Sequence, residues 1–122
     1  IGQVVYALRE YESLLDEKTI IMGDFNWNKI WDEGKKKPNL TDFLTMIDAK
    51  NIKSLYHLYF DEDFGCEQQS TLFLQKNLAK PYHIDYCFAG EYWYKKLKDV
   101  IIGKPDKWLS KSDHMPLSCY FY

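Results

Sequence analysis

The run Ile84-Asp85-Tyr86-Cys87-Phe88 constrains the fold more than any other stretch of the chain. Its apolar and aromatic residues mark a strand buried on both faces, yet it carries a carboxylate. A buried carboxylate without a partner costs several kcal/mol or gives up its charge. The fold must therefore bring Asp85 a partner, either an imidazole or backbone amides. It must also bury a real core around the strand. The chain has 122 residues, enough for one compact domain, and 17% of them are aromatic, which supplies large buried area.

The charge balance narrows the partners. The formal net charge is −2, so no global positive field draws the chain to nucleic acid, and binding a polyanion requires a local basic patch or a metal ion. The three cysteines, Cys66, Cys87 and Cys119, are odd in number and form no CxxC pair. That pattern argues against a disulfide framework and a zinc site, and for a reducing, cytoplasmic setting. Cys87 and Cys119 read as small buried hydrophobes. No apolar run reaches the length of a membrane span. The sequence opens on Ile1 with no signal-peptide pattern, as expected of a fragment or a trimmed chain.

Periodicity gives an α+β order. Val4, Val5, Leu8, Tyr11 and Leu15 recur at helical spacing and predict an amphipathic helix over 3–16. Thr19 to Gly23 read as a short buried strand. A polar loop follows, closed by Pro38. Asn39, with Asp42 three residues on, predicts a capped helix that places Leu40, Phe43, Leu44 and Ile47 on one face. The stretch 52–60 is ambiguous, with a short helical turn as its reading, and 60–69 reads as an acidic surface loop. Residues 70–74 and 83–90 are expected to pair as a hairpin. Residues 93–103 predict a strand, although their lysines also fit a helix, 105–114 a loop and 115–122 a last strand. The order suggests one mostly antiparallel or mixed sheet with helices on one face, in a single domain over 1–122.

Three short stretches carry possible chemistry. In "GDFN", a strand finishes on Asp24 and Asn26. In "HIDY", Asp85 sits in its apolar run. In "SDHMP", Asp113 and His114 precede a strand, and as neighbours in extended backbone they point to opposite sides, so each needs its own partner. Each stretch alone has an ordinary structural reading as a turn, a backbone-bonded acid or a surface histidine.

Taken together, the ordered trio resembles the endonuclease/exonuclease/phosphatase superfamily, the group with the pancreatic-deoxyribonuclease-like fold. The group also includes abasic-site repair endonucleases, inositol polyphosphate 5-phosphatases and sphingomyelinases. Thr71 fits a family strand between the first two motifs. The resemblance covers the C-terminal half of the family domain and implies half of a four-layer α/β/β/α sandwich. It implies a phosphoester hydrolase, of phosphodiesterase or nuclease type, that uses Mg2+ or Mn2+. By the same resemblance, Asp24 orients or deprotonates the attacking water, Asn26 donates to the phosphate, and Asp85 orients and keeps protonated the His114 that stabilises the transition state. Asp113 matches a position that reaches towards the metal. The family's principal glutamate ligand belongs to the N-terminal half and has no counterpart here. The missing half, or a second copy, is expected to cover an apolar inner sheet face. The alternative is an inactive half-domain that serves binding or assembly.

Weaker candidates complete the reading. Asn28 and His83 lie close enough in sequence to the motifs to bind substrate. His57 reads as a packed or surface histidine, and Lys35-Lys36-Lys37 as a solvated loop. Trp27 and Trp31 either stack on a base or fold back onto the core. DNA, RNA, inositol phosphates and lipid phosphodiesters all remain open as substrates.

Overall fold

The computed structural model describes residues 1–34 and 37–122. The chain order is α1 (Gly2–Glu10), β1 (Ile20–Asp24), α2 (Leu40–Asp48), β2 (Lys53–Ser54), α3 (Leu55–Phe60), β3 (Leu72–Phe73), β4 (Pro81–Tyr82), β5 (Asp85–Ala89), α4 (Glu91–Tyr94), β6 (Leu97–Ile102), α5 (Pro105–Trp108) and β7 (Leu117–Phe121). The class is α+β, as the periodicity predicts. The single sheet is not found. The described strands form three small antiparallel sheets, β1-β5-β2, β3-β4 and β6-β7.

β5 organises the molecule because both of its faces are apolar. Tyr86 and Phe88 turn to one core, with Val5 from α1, Leu40, Phe43 and Ile47 from α2, and Phe25. Cys87 and Ala89 turn to a second core, with Leu55 and Tyr56 from α3, Val100 and Ile102 from β6, and Met115. The expected hairpin between 70–74 and 83–90 therefore does not form. β5 takes the central place between β1 and β2, with Ile20 opposite Ala89 and Asp24 opposite Asp85. β3 pairs instead with β4, where Pro81 has no N–H to extend the ladder.

Local signals fare better than long-range ones. Asn39 and Asp42 form the capping box: the Asn39 side chain accepts from Asp42 N, and the Asp42 carboxylate accepts from Asn39 N at 2.8 Å. The opening helix stops earlier than expected, at Glu10, and a tighter 3₁₀ turn follows over Glu12–Leu14; Tyr11 is 59% exposed rather than packed. The ambiguous 52–60 stretch divides into β2 and α3, joined by Ser54 as the helix cap. The stretch 93–103, expected as a strand with a helix as the alternative, begins in the short helix α4 and continues as β6. Pro105 starts a helix, α5, inside the expected loop; proline at that position lacks only an N–H that would go unused.

β1 was expected to be buried and is not. It is the edge of its sheet, and Met22 is 74% exposed. Ile21 alone turns towards the first core, while Ile20 and Met22 face outwards. The inner face of β5, expected to be bare, is covered in part by the β6-β7 hairpin. Beside that cover lies a cleft of about 390 Å3 lined by residues that include Ile20, Met22, Met115, Cys119 and Phe121, with Asp24 and Asp85 also on its wall. No described helix is long and apolar enough to cross a membrane.

Candidate functional site

The registry of β1 against β5 decides the site. It sets Asp24 directly opposite Asp85 at the end of both strands. Gly23, just before, has φ +145°, backbone that favours glycine, and the ladder continues past it, with Phe25 N donating to Ile84 O at 2.9 Å. Asn26 adopts a left-handed conformation with φ 47°, which asparagine tolerates, and its N–H donates to Asp24 Oδ1 at 2.7 Å. Asp24 Oδ2 is left to face the site, and the Asn26 side chain is exposed, with no hydrogen bond among the described residues.

Thr71, fully buried, ties the second motif to the third. Its hydroxyl oxygen accepts from Ile84 N at 2.9 Å and from Asp85 N at 3.1 Å, and its carbonyl accepts from Met115 N at 2.7 Å. His114 forms a bridge with Leu72 beside it, and its own N–H donates to Ser112 Oγ at 3.0 Å. One residue thus holds the backbone on either side of the imidazole and the acid.

His114 Nδ1 donates to Asp85 at 2.9 Å to Oδ2 and 3.1 Å to Oδ1, and its Nε2 lies 3.9 Å from Asp24 Oδ2. Asp24, Asp85 and His114 offer ligand atoms that all lie within 4.8 Å of one another. Partial burial acts to lower the His114 pKa. The Asp85 hydrogen bond, with the charges of Asp85, Asp24 and Asp113, outweighs it, and the net shift is upwards from 6.5. Asp113 lies outside the three-residue cluster; its backbone carbonyl accepts from Phe73 N at 2.8 Å.

Compared with known proteins, the chain matches no protein-family model and no curated protein.

The weaker candidates have structural duties. Asn28 is 3% exposed, and its amide donates to His83 O at 2.8 Å and to Glu67 Oε2 at 3.2 Å. His83 is 4% exposed and its Nδ1 donates to Gln69 O at 2.8 Å, while its Nε2 has no partner among the described residues. Burial holds its pKa below the ordinary value, which favours the neutral ring. Neither side chain is open to a substrate in this conformation. Trp27 is half-buried, its indole N–H donating to Asp32 at 2.7 Å; Trp31 is exposed. Lys37 pairs with Asp42 at 3.5 Å, and Lys35 and Lys36 lie outside the described residues.

The sequence reading missed a buried network beneath the site. His57 Nε2 meets Glu67 Oε1 at 2.9 Å, with 6% and 3% of their side chains exposed. His57 Nδ1 meets Ser54 Oγ at 2.7 Å. Burial acts to raise the Glu67 pKa, but His57, the Gly65 N–H and the Asn28 amide outweigh it and hold the carboxyl at about 2. The only sequence signal was a histidine and an acid ten residues apart, one of them in a loop already crowded with acids.

Proposed function

We propose that this chain is the C-terminal part of a divalent-metal-dependent phosphoester hydrolase domain of the endonuclease/exonuclease/phosphatase superfamily. The observation that carries the reading is the convergence of Asp24, Asp85 and His114, from three separate motifs, within 4.8 Å. A protonated His114 donates from Nε2 to a phosphoryl oxygen, and Asp85 holds the ring through Nδ1 and stabilises its charge. Asp24 Oδ2 accepts a proton from the attacking water, while the free Asn26 amide donates to the phosphate without adding charge.

The residues fit a hard cation only as part of a larger site. Both Asp85 oxygens are engaged by His114, so of the cluster's two carboxylates only Asp24 keeps an oxygen free. Mg2+ prefers six oxygen ligands and accepts one or two carboxylates with waters and substrate phosphate. Because Asp24 Oδ2 serves as the base, Asp24 would hold the ion here through an intervening water, with the direct protein ligands outside this chain. When bound, the ion supplies charge neutralisation at the phosphoryl oxygens. On this reading β1-β5-β2 and β6-β7 are parts of the two facing sheets of a four-layer sandwich.

The test is metal-dependent hydrolysis of a phosphodiester by the full-length protein that carries this chain. Asp24→Ala and His114→Ala are each expected to slow it about 100- to 10,000-fold, the range of a lost general acid or base. Unchanged rates in both variants sink the assignment. A second reading, an inactive assembly module, draws on the apolar cleft beside β1. Turnover by the 122-residue chain alone, in Mg2+, refutes it.

A further inference from the structure

The cluster has a neighbour that phosphate chemistry alone does not use. Of the four tryptophans, Trp31 is the most exposed, at 38%. Trp27 and Trp93 each donate their indole N–H inside the protein, to Asp32 and to Lys18 O, whereas the Trp31 N–H has no partner among the described residues. The Trp31 ring rests on Tyr82 with centroids 5.4 Å apart and on Trp27 at 6.0 Å. It is therefore braced from behind and open in front.

The sheet registry relates this pair to the site. Tyr82 is opposite Leu72 in β3-β4, and His114 bridges Leu72 from the other side. Residues directly opposite in antiparallel pairing share a face. Tyr82, Leu72 and His114 therefore lie in one row, with Tyr82 about 10 Å from His114 across two strand spacings. That span is comparable to the reach from a backbone phosphate to a neighbouring base. Trp31 follows Asp24 and Asn26 on the connection that leaves β1.

We propose that Trp31, braced by Tyr82, is a base-stacking platform for single-stranded nucleic acid whose phosphodiester enters the Asp24–Asp85–His114 cluster. This inference rests on the phosphoester reading of that cluster and selects among its substrates. An inositol phosphate or a lipid headgroup has no π face for the ring to meet, whereas every base has one. The free indole N–H suits a flanking phosphate.

The test separates base from phosphate. A short, labelled single-stranded oligodeoxynucleotide and the same strand built from abasic linkages are titrated with the protein, and binding is followed by fluorescence anisotropy at low salt. The protein is expected to prefer the base-bearing strand by about tenfold or more, within the range that one stacked base supplies. Trp31→Leu keeps apolar bulk without a π face and is expected to remove that preference; Trp31→Phe is expected to keep most of it. Circular dichroism checks that both variants fold. Absence of binding, equal affinity for the two strands, or a preference that survives Trp31→Leu overturns the proposal. Binding needs no turnover, and His114→Ala is expected to retain the base preference while losing cleavage, so failure of the platform and failure of the phosphoester reading give different results.

Discussion

An imidazole between two carboxylates is a poised charge, and His114 shows how the surroundings set it. Its Nδ1 is held by Asp85 at 2.9 Å and its Nε2 looks across 3.9 Å to Asp24. Burial alone would favour the neutral ring, but the Asp85 hydrogen bond and the nearby negative charges win. A histidine whose folded pKa lies above its unfolded value of 6.5 stabilises the fold fully below that unfolded value. The contribution is lost as pH rises through the folded pKa. The reaction should follow the same limb, since only the cation donates from both nitrogens. An NMR titration of His114 is expected to give an apparent pKa above 6.5, and Asp85→Asn, which removes the charge, is expected to lower it. An unmoved titration would show that Asp85 only positions the ring. That Asp85 needs a partner was legible in the sequence, because a carboxylate in an apolar strand demands one; that the partner is His114 was implied only by the family resemblance. The loss of Asn28 and His83 to the interior was not, because nothing local distinguishes an amide that meets substrate from one that meets the carbonyl of His83.

At the scale of elements, short-range chemistry was readable and long-range pairing was not. The Asn39–Asp42 capping box lies within four residues and formed as expected. The partner of β5 depends on which neighbours bury both of its faces, and the nearest strand in sequence was not the answer. β1 looked like a buried strand by composition, yet sits at an edge. The acidic stretch 60–69 hides a buried anion, because Glu67 is indistinguishable by composition from its exposed neighbours. That anion joins the connections around the site: Asn28 follows β1, His57 sits on α3, and Gly65 donates from the loop. Its folded pKa of about 2 lies below the usual 4.5, so its stabilisation is present above pH 4.5 and is lost as pH falls towards 2. Removing one partner of a buried ion pair strands the other. Glu67→Ala is therefore expected to cost about 3–5 kcal/mol at pH 7 by urea denaturation, and the variant should lose less than the unmutated protein between pH 4.5 and 2. Equal acid sensitivity in the two proteins would remove Glu67 from the account.

At the scale of the molecule, two cores share one strand. Side chains alternate along β5, so Tyr86 and Phe88 belong to the core under α1 and α2, and Cys87 and Ala89 to the core under α3 and β6-β7. Neither core can keep its half of the strand once the other has released it, because the backbone of β5 is common to both. The two should therefore unfold as one unit, even though the sheets are separate. Phe88→Ala opens a void in the first core only, with an expected cost of about 3–5 kcal/mol. Tryptophans report on each side: Trp27 packs against the first core, and Trp93 and Trp108 against the second. Single-tryptophan versions, with the others replaced by Phe, should give coincident urea transitions, and Phe88→Ala should move both midpoints downwards together. Coupling of this kind would hold Asp85, on the shared strand, in register with Asp24 on one side and with His114, next to the second-core residue Met115, on the other. Separate transitions, with the Trp93 and Trp108 signals unmoved by Phe88→Ala, would mean that β6-β7 docks on a preformed β1-β5-β2 unit and that His114 is brought to its acids only by that docking.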